Sequence, residues 1–389
     1  MPTRYYIIAG EASGDLHGSN LIRAIKQQNP DTIIRCWGGD LMEAAGATLV
    51  KHYRDLAFMG FWEVLKNLRV ILNNLSFCKK DIDQFQPDVL VCIDYPGFNL
   101  RIAQWAHDKG LKVAYYISPQ VWAWKEKRVI QMKKTIDRMI CILPFEKEYF
   151  EKKWNWSVDY VGHPLLEVVD TIRQEKSTEE LTWYGRNHGT PSPNQPLIAL
   201  LPGSRQQEIL QVLPSILEVT RQFPSYDFVV AMAPGLEPAF YEQLLQNYPN
   251  VWRVHNQTHA LLLRSSAAIV TSGTATLETA LLGIPEVVVY KGSPISFFIA
   301  KRLISIPYIA LVNLIMNKKV VTELIQDQVR TDLLETELKK ILTDSTCISQ
   351  LQHDYRELRE RLNTGGKASE KAAAIIGGLS RTTTASTSA

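Results

Sequence analysis

The chain has no closely spaced cysteine or histidine pair of the kind that holds zinc. Its five cysteines, at 36, 78, 92, 141 and 347, form no CxxC, which predicts no metal site and, because several lie in apolar strand-like runs, buried reduced thiols. A long uninterrupted apolar run is also missing. The most apolar tract, "SPISFFIAKRLISIPYIALVNLIM" (293–316), is broken by Lys301, Arg302 and Pro307 and falls short of the roughly 20 apolar residues of a membrane span. The opening "MPTRYYIIAGEASGD" has no apolar leader and enters a strand directly, so the expected location is the cytoplasm. Charge of one sign is scarce as well: 43 basic and 40 acidic residues leave a net +3. That is too little to imply a nucleic-acid partner, and any attraction to a membrane has to be local.

What the chain does have is size and rhythm. At 389 residues with 46% hydrophobic content it exceeds the roughly 250–300 residues at which one core stops growing, which implies two domains. Short apolar runs followed by turns and helical periods repeat along it, the pattern of βα units around parallel sheets. Candidate strands in the first half are Tyr5 to Ala9, Thr32 to Trp37, Val89 to Ile93, Val113 to Ile117, Met139 to Leu143 and Val158 to Val161. After the turn-rich "YGRNHGTPSPNQP" a second series begins with "LIALL", "DFVVAM", "WRVH", "AAIVT" and "EVVVY". The fold expected is α/β: two facing Rossmann-like domains, parallel sheets with flanking helices, and C-terminal helices packing back on the N-terminal domain. The expected limits are 1–183, a linker at 184–196, 197–345, C-terminal helices at 346–378 and a disordered tail at 379–389. Chemistry is expected in a cleft between the halves, at the carboxyl ends of the strands.

Each half opens with a strand and a glycine turn, but the two turns differ in charge. "IIAGEASGDLHGSN" (7–20) carries Glu11 and Asp15, whereas "LIALLPGSRQQEI" carries Arg205. Carboxylates repel a diphosphate, so the second turn is the anion site. There Gly203 permits close approach, Ser204 followed by Gln207 has capping-box spacing, and Arg205 adds a cation. A well-capped turn with a solvated arginine is the competing reading. A second loop, "AAIVTSGTATLETALLGIP" (267–285), puts Ser272, Gly273, Thr274 and Thr276 at a strand–helix junction with Glu278 one turn on. Hydroxyls and amides suit phosphate and a carboxylate suits ribose, although capping explains the same residues.

In "PDVLVCIDYPGFNLRIA" a fully apolar strand ends at Asp94. A carboxylate placed there is a candidate general base on a sugar hydroxyl, with a turn aspartate before Pro96 as the alternative. Asn99 is then a sugar ligand or a turn residue. "YYISPQVWAWKEKRV" gathers Trp122 and Trp124 beside Lys125, Lys127 and Arg128, a site for a sugar phosphate or a core edge with a solvated basic face. His163 in "VGHPL" reads as a turn histidine. "FMGFWEVLKNLRVILNNLSFCKK" spaces Phe61, Val64, Leu65, Leu68, Leu72 and Leu75 at helical intervals with Trp62 adjacent, a membrane-interface helix or an ordinary core helix.

Nine segments, in order, resemble the lipid-A-disaccharide synthase family: "AGEASGDLHG", "GGDLMEAAGA", "IDYPGFN", "SPQVWAWK", "LPFEKEYF", "VGHPL", "LLPGSRQQEI", "SGTATLE" and "LVNLIMNKKVVTELIQ". The resemblance implies a bacterial inverting glycosyltransferase of GT-B fold from the lipid A pathway of a Gram-negative-type organism. It would transfer 2,3-diacylglucosamine from its UDP conjugate to the 6-hydroxyl of 2,3-diacylglucosamine 1-phosphate, without a cofactor. It also implies that Asp94 is the base and Arg205 the essential diphosphate contact, and that Glu11, Ser13, Gly14, Asn313 and Glu323 are further acceptor or sugar residues. Peripheral attachment to the cytoplasmic leaflet of the inner membrane and a homodimer follow as expectations. One departure is Gly97, where the family often has a second acid (I-D-x-P-D-F-N). The alternatives are another UDP-sugar enzyme of this fold, such as a UDP-sugar 2-epimerase, or a membrane-docked UDP-sugar sensor.

Overall fold

A computed structural model describes residues 2–56, 68–175, 178–184, 190–192, 194–248, 250–292 and 307–385. The chain forms two compact units, 1–164 with 362–389 and 165–361.

The first unit runs β1 (Arg4–Ala9), α1 (Ala12–Gln28), β2 (Ile33–Gly38), α2 (Asp40–Ala44), β3 (Thr48–His52), α3 (Leu68–Phe85), β4 (Val89–Ile93), α4 (Pro96–Asp108), β5 (Lys112–Tyr116), α5 (Arg128–Thr135), β6 (Arg138–Cys141), α6 (Pro144–Trp154) and β7 (Asp159–Tyr160). The sheet is parallel in the order β3-β2-β1-β4-β5-β6-β7. β4 is buried at every position, as expected of strands covered on both faces, which read as unbroken apolar runs. The order reverses between β1 and β4, the switch point where doubly wound sheets bind ligands.

The second unit runs α7 (Leu165–Glu175), β8 (Leu197–Leu201), α8 (Gln206–Thr220), β9 (Asp227–Met232), α9 (Pro238–Leu245), β10 (Val251–His255), α10 (Thr258–Arg264), β11 (Ser265–Thr271), α11 (Thr274–Leu281), β12 (Glu286–Tyr290), α12 (Leu311–Met316), β13 (Thr322–Ile325), α13 (Thr331–Thr343) and α14 (Ser345–Leu362). Its parallel sheet has the order β10-β9-β8-β11-β12-β13, with the switch point between β8 and β11. The last helix, α15 (Ala368–Ala385), returns to the first unit.

The division differs from the expected one at three places. Helix α7 belongs to the second unit: it buries Leu165, Val168, Val169 and Ile172, and Arg173 donates to the Leu281 carbonyl at 3.1 Å. The change of unit therefore comes at 164, ahead of the polar stretch after 183. Helix α14 also stays with the second unit, where Gln352 donates to the Gly283 carbonyl at 2.7 Å and Lys318 pairs with Asp354 at 2.9 Å. Of the C-terminal helices only α15 packs back, burying Ala372, Ala373 and Ile376, with Gln28 donating to the Glu370 carbonyl at 3.1 Å. It continues to Ala385, through most of the expected tail.

The chain segments leading out of and back into the first unit are tied together. The His163 amide donates to the Leu362 carbonyl at 3.3 Å and the Thr364 hydroxyl to the Val161 carbonyl at 2.9 Å. His163, read from the sequence as a turn histidine, has a buried side chain. Burial, and secondarily the neighbouring His17, push its imidazole down to about 3, so it is neutral.

Cys36, Cys78, Cys92 and Cys141 are buried free thiols, as expected, and Cys347 is half-buried. No helix among the described residues is long and apolar enough to cross a membrane.

Candidate active site

In the first unit the switch point brings together the residues after β1 and β4. Asp94 and Tyr95 follow β4 with φ of +43° and +48°, a left-handed pair that non-glycine side chains adopt at a cost of about 1–3 kcal/mol each. The fold holds them there. The Asp94 amide donates to the Tyr116 carbonyl at 3.1 Å, and the Tyr115 hydroxyl donates to the Asp94 carbonyl at 2.6 Å. The Tyr95 ring lies against Gly10, where an added Cβ would meet ring carbons at 2.3–2.7 Å, so that turn requires glycine.

Asp94 is half-buried. Burial first, and then the nearby Glu11 carboxylate, push its carboxyl up to about 6, against a smaller lowering by a backbone bond from Tyr95. A base with a pKa near the working pH combines adequate ionisation with proton affinity. Glu11 is half-buried and Ser13 is exposed on the first turn of α1, so both stand at the same edge.

The other expected acceptor residues have internal roles. Gly14 is buried, and its missing side chain lets α1 close on β1: a Cβ there would lie 3.0 Å from that of Ala9. Asn99 is fully buried, its Nδ2 donating to the carbonyls of Ile8 (3.3 Å), Ile93 (3.1 Å) and Asp94 (2.8 Å). It clasps the ends of β1 and β4. Asp15, the second carboxylate of the opening loop, is also internal, accepting from the amides of Gly39 (2.8 Å), Leu41 (3.2 Å) and Met42 (3.0 Å). Gly97 is exposed, and a Cβ there would meet nothing within 4 Å.

Sequence reasoning missed Glu146. It is buried at the third position of α6, where it accepts from Trp122 Nε1 at 3.1 Å and from the Ile142 and Leu143 amides at 3.3 and 3.0 Å. Burial pushes it up to about 7 despite those bonds, with Asp94 adding to the rise. The available signal was Pro144 at the first helical position with an acid two residues on.

In the second unit both candidate nucleotide loops flank the β8–β11 switch point. Gly203 has φ +112°, a conformation that favours glycine. Arg205, exposed, is the N-cap of α8, one residue later than the spacing of Ser204 and Gln207 predicts. The side chain that folds back is Glu208: its Oε2 accepts from the Ser204 amide at 3.3 Å and covers Gly203, where a Cβ would lie 2.2 Å from it. The cationic turn thus carries its own carboxylate, which burial pushes upward.

Gly273 and Thr274 are exposed at the start of α11, and Ser272 donates to the Ile309 carbonyl at 3.3 Å. Thr276 is fully buried with its hydroxyl on the Gly273 carbonyl at 2.9 Å, so it shapes the loop from inside. Glu278 meets His259 Nε2 at 2.8 Å, a partner supplied by α10 that the sequence did not single out. Asn313 is fully buried: Nδ2 donates to the Val321 carbonyl (2.9 Å) and Glu323 Oε1 (2.8 Å), and Oδ1 accepts from the amides of Val320 (2.7 Å) and Val321 (2.9 Å). Glu323 also accepts from the amides of Ile309 and Ala310, both at 3.0 Å. The pair secures the entry to α12.

The membrane stripe is only partly described. Phe61, Trp62, Val64 and Leu65 lie outside the described residues, and Leu68 begins α3. Leu75, Cys78, Ile82 and Phe85 face the core, whereas Val70, Leu72 and Phe77 are 39%, 52% and 49% exposed. Leu75 is therefore a core residue, and the outward apolar set is Val70, Leu72 and Phe77.

Residues 5–376 match the family model described as lipid-A-disaccharide synthetase. The chain belongs to this family. The lipid-A-disaccharide synthases of Trichlorobacter lovleyi and Syntrophus aciditrophicus are similar to it at 36% and 37% identity, covering 96% and 95% of the chain and 97% and 96% of their own length. Among solved structures, the glycosyltransferase of kitacinnamycin aligns with a TM-score of 0.64 at 14% identity, covering 97% of this chain and 99% of that one. A UDP-GlcNAc 2-epimerase from Neisseria meningitidis aligns with a TM-score of 0.62 at 12% identity and the same coverage. These distant likenesses establish the fold of two Rossmann-like domains shared by glycosyltransferases and epimerases. The synthase relatives, and not the epimerases, share sequence along almost the whole chain, which disfavours the epimerase alternative.

Proposed function

We propose that the protein transfers 2,3-diacylglucosamine from its UDP conjugate to the 6-hydroxyl of 2,3-diacylglucosamine 1-phosphate, releasing UDP with inversion at the anomeric carbon. The observation that carries the mechanism is Asp94: a carboxylate at a sheet switch point, held in a strained backbone, with its pKa pushed up to about 6. It accepts the proton of the acceptor hydroxyl as that oxygen attacks the anomeric carbon from the face opposite the diphosphate. Arg205, with the amides of the Gly203–Ser204 and Gly273–Thr274 turns, takes up the charge that develops on the departing diphosphate. Glu278, oriented by His259, is the ribose ligand. The scheme assigns stabilisation of the leaving group to protein groups, so activity is expected to survive EDTA.

Both sugars carry acyl chains, which supports peripheral attachment to a membrane through the outward face of α3. The test of function is incubation with both diacyl sugars followed by mass spectrometry. The expected products are UDP and a tetraacyl disaccharide phosphate. Conversion of UDP-N-acetylglucosamine alone, with no disaccharide formed, would contradict the reading.

A further inference from the structure

The loop between β5 and α5 is not accounted for by the groups assigned so far, and it concentrates positive charge with which no carboxylate of the described residues pairs. Lys125 and Lys127 are exposed and Arg128 is half-buried, and none of the three has a carboxylate within ion-pair distance among the described residues. The one acid in the loop, Glu126, is turned away, bonded to Lys153 at 2.5 Å and to the Tyr149 hydroxyl at 2.7 Å. Lys125 Nζ and Arg128 Cζ instead sit 4.3 and 5.6 Å from the ring centroid of Trp124, itself 43% exposed. An aromatic face holds two cations together there without neutralising them. Burial and the neighbouring guanidinium push the Lys125 ammonium down from its ordinary value.

The loop follows β5, which pairs in parallel with β4, so it leaves the same carboxyl edge of the sheet that carries Asp94. Near the end of β5 the Tyr115 hydroxyl donates to the Asp94 carbonyl at 2.6 Å, tying the two loop entries together. The loop also carries backbone strain near both ends, with Ile117 at φ +66° and Lys125 at φ +54°. A β-branched residue in that region is an outlier, and such outliers persist where the surrounding structure enforces them, often at ligand sites.

We propose that Lys125 and Arg128 bind the phosphate monoester of the acceptor sugar. This rests on the function proposed above and specifies how the acceptor is chosen. A monoester is compact, carries close to two charges and presents three acceptor oxygens, which suits a guanidinium fork beside an ammonium. The diphosphate loops lie on the other unit, so the two anions of the reaction are read by different sets of cations.

The test is equilibrium binding, in detergent, of 2,3-diacylglucosamine 1-phosphate and of phosphate-free 2,3-diacylglucosamine to the full chain. Wild type is expected to prefer the phosphorylated sugar by about tenfold or more. A Lys125→Ala/Arg128→Ala double variant is expected to bind both alike, and Lys125→Arg/Arg128→Lys to retain the preference. A double variant that keeps the preference, or a wild type that lacks it, overturns the proposal. Flotation with phosphatidylglycerol vesicles separates acceptor phosphate from lipid headgroup. Unchanged flotation of the double variant supports the assignment, and lost flotation with the sugar preference intact assigns the pair to the membrane and overturns it. No UDP donor is needed, so absence of turnover contradicts the proposed function without deciding this one.

Discussion

Asn99 Nδ2 lies 2.8 Å from the backbone carbonyl of Asp94 and also reaches the carbonyls that end β1 and β4. The side chain is a clamp on the candidate base. Asn99→Ala removes a donor shared by three carbonyls, of which that of Asp94 keeps the Tyr115 hydroxyl, a loss of about 1–3 kcal/mol. The expected result is a lower melting temperature together with a lower kcat and unchanged UDP binding. A raised acceptor KM with unchanged melting would instead make Asn99 a sugar ligand.

Asp94→Asn is expected to lower kcat by about 100-fold or more while leaving the UDP dissociation constant unchanged. In wild type kcat/KM should rise with pH through about 6, because the base works ionised. The same shift has a stability sign. The folded pKa lies above the ordinary 3.8, so ionised Asp94 opposes folding, a penalty that develops between about pH 4 and 6 and persists above it. Calorimetry should therefore find the variant more stable than wild type at pH 8, by on the order of 2–4 °C, and no different below pH 4.

Glu208 occupies the turn where the diphosphate is proposed to bind, with Oε2 on the Ser204 amide. Glu208→Gln keeps an acceptor for that amide and removes the charge. UDP should bind the variant about threefold tighter or more, the scale of one charge at a helix N-terminus. Weaker binding measured by titration calorimetry would show that the carboxylate organises the loop for the nucleotide.

The outward face of α3 offers a clean test of membrane attachment. Val70→Ser/Leu72→Ser removes exposed apolar groups and spares the core residue Leu75 and also Phe77, whose ring lies 6.0 Å from that of buried Trp37. Liposome flotation should fall with melting unchanged, whereas equal flotation would remove this face from the role.

Much of the fold is legible in the sequence because buried parallel strands are apolar throughout. β4, "VLVCI", is apolar and buried at every position, and β9, "DFVVAM", is so after its first residue, the buried Asp227. The strands that were missed, β3 and β13, are short edge strands, half-exposed and interrupted by Lys51 and Glu323, so they carry no continuous apolar signal. The site divides along similar lines. A carboxylate following a buried strand, as Asp94 does, is visible in one dimension. Asp15, Asn99, Asn313 and Glu323 are polar residues within recognisable motifs whose partners are backbone amides and carbonyls elsewhere in the fold, and no spacing separates such a clasp from a ligand contact. His259 and Glu278 come together from different helices, a pairing only the fold supplies.

In the proposed mechanism the nucleotide and the base belong to different units. A crystal structure with UDP tests this most directly. The diphosphate should lie against Gly203 to Arg205 and the Gly273–Thr274 turn, with Glu208 displaced. A diphosphate seated against Gly10 to Ser13 beside Asp94 would contradict it.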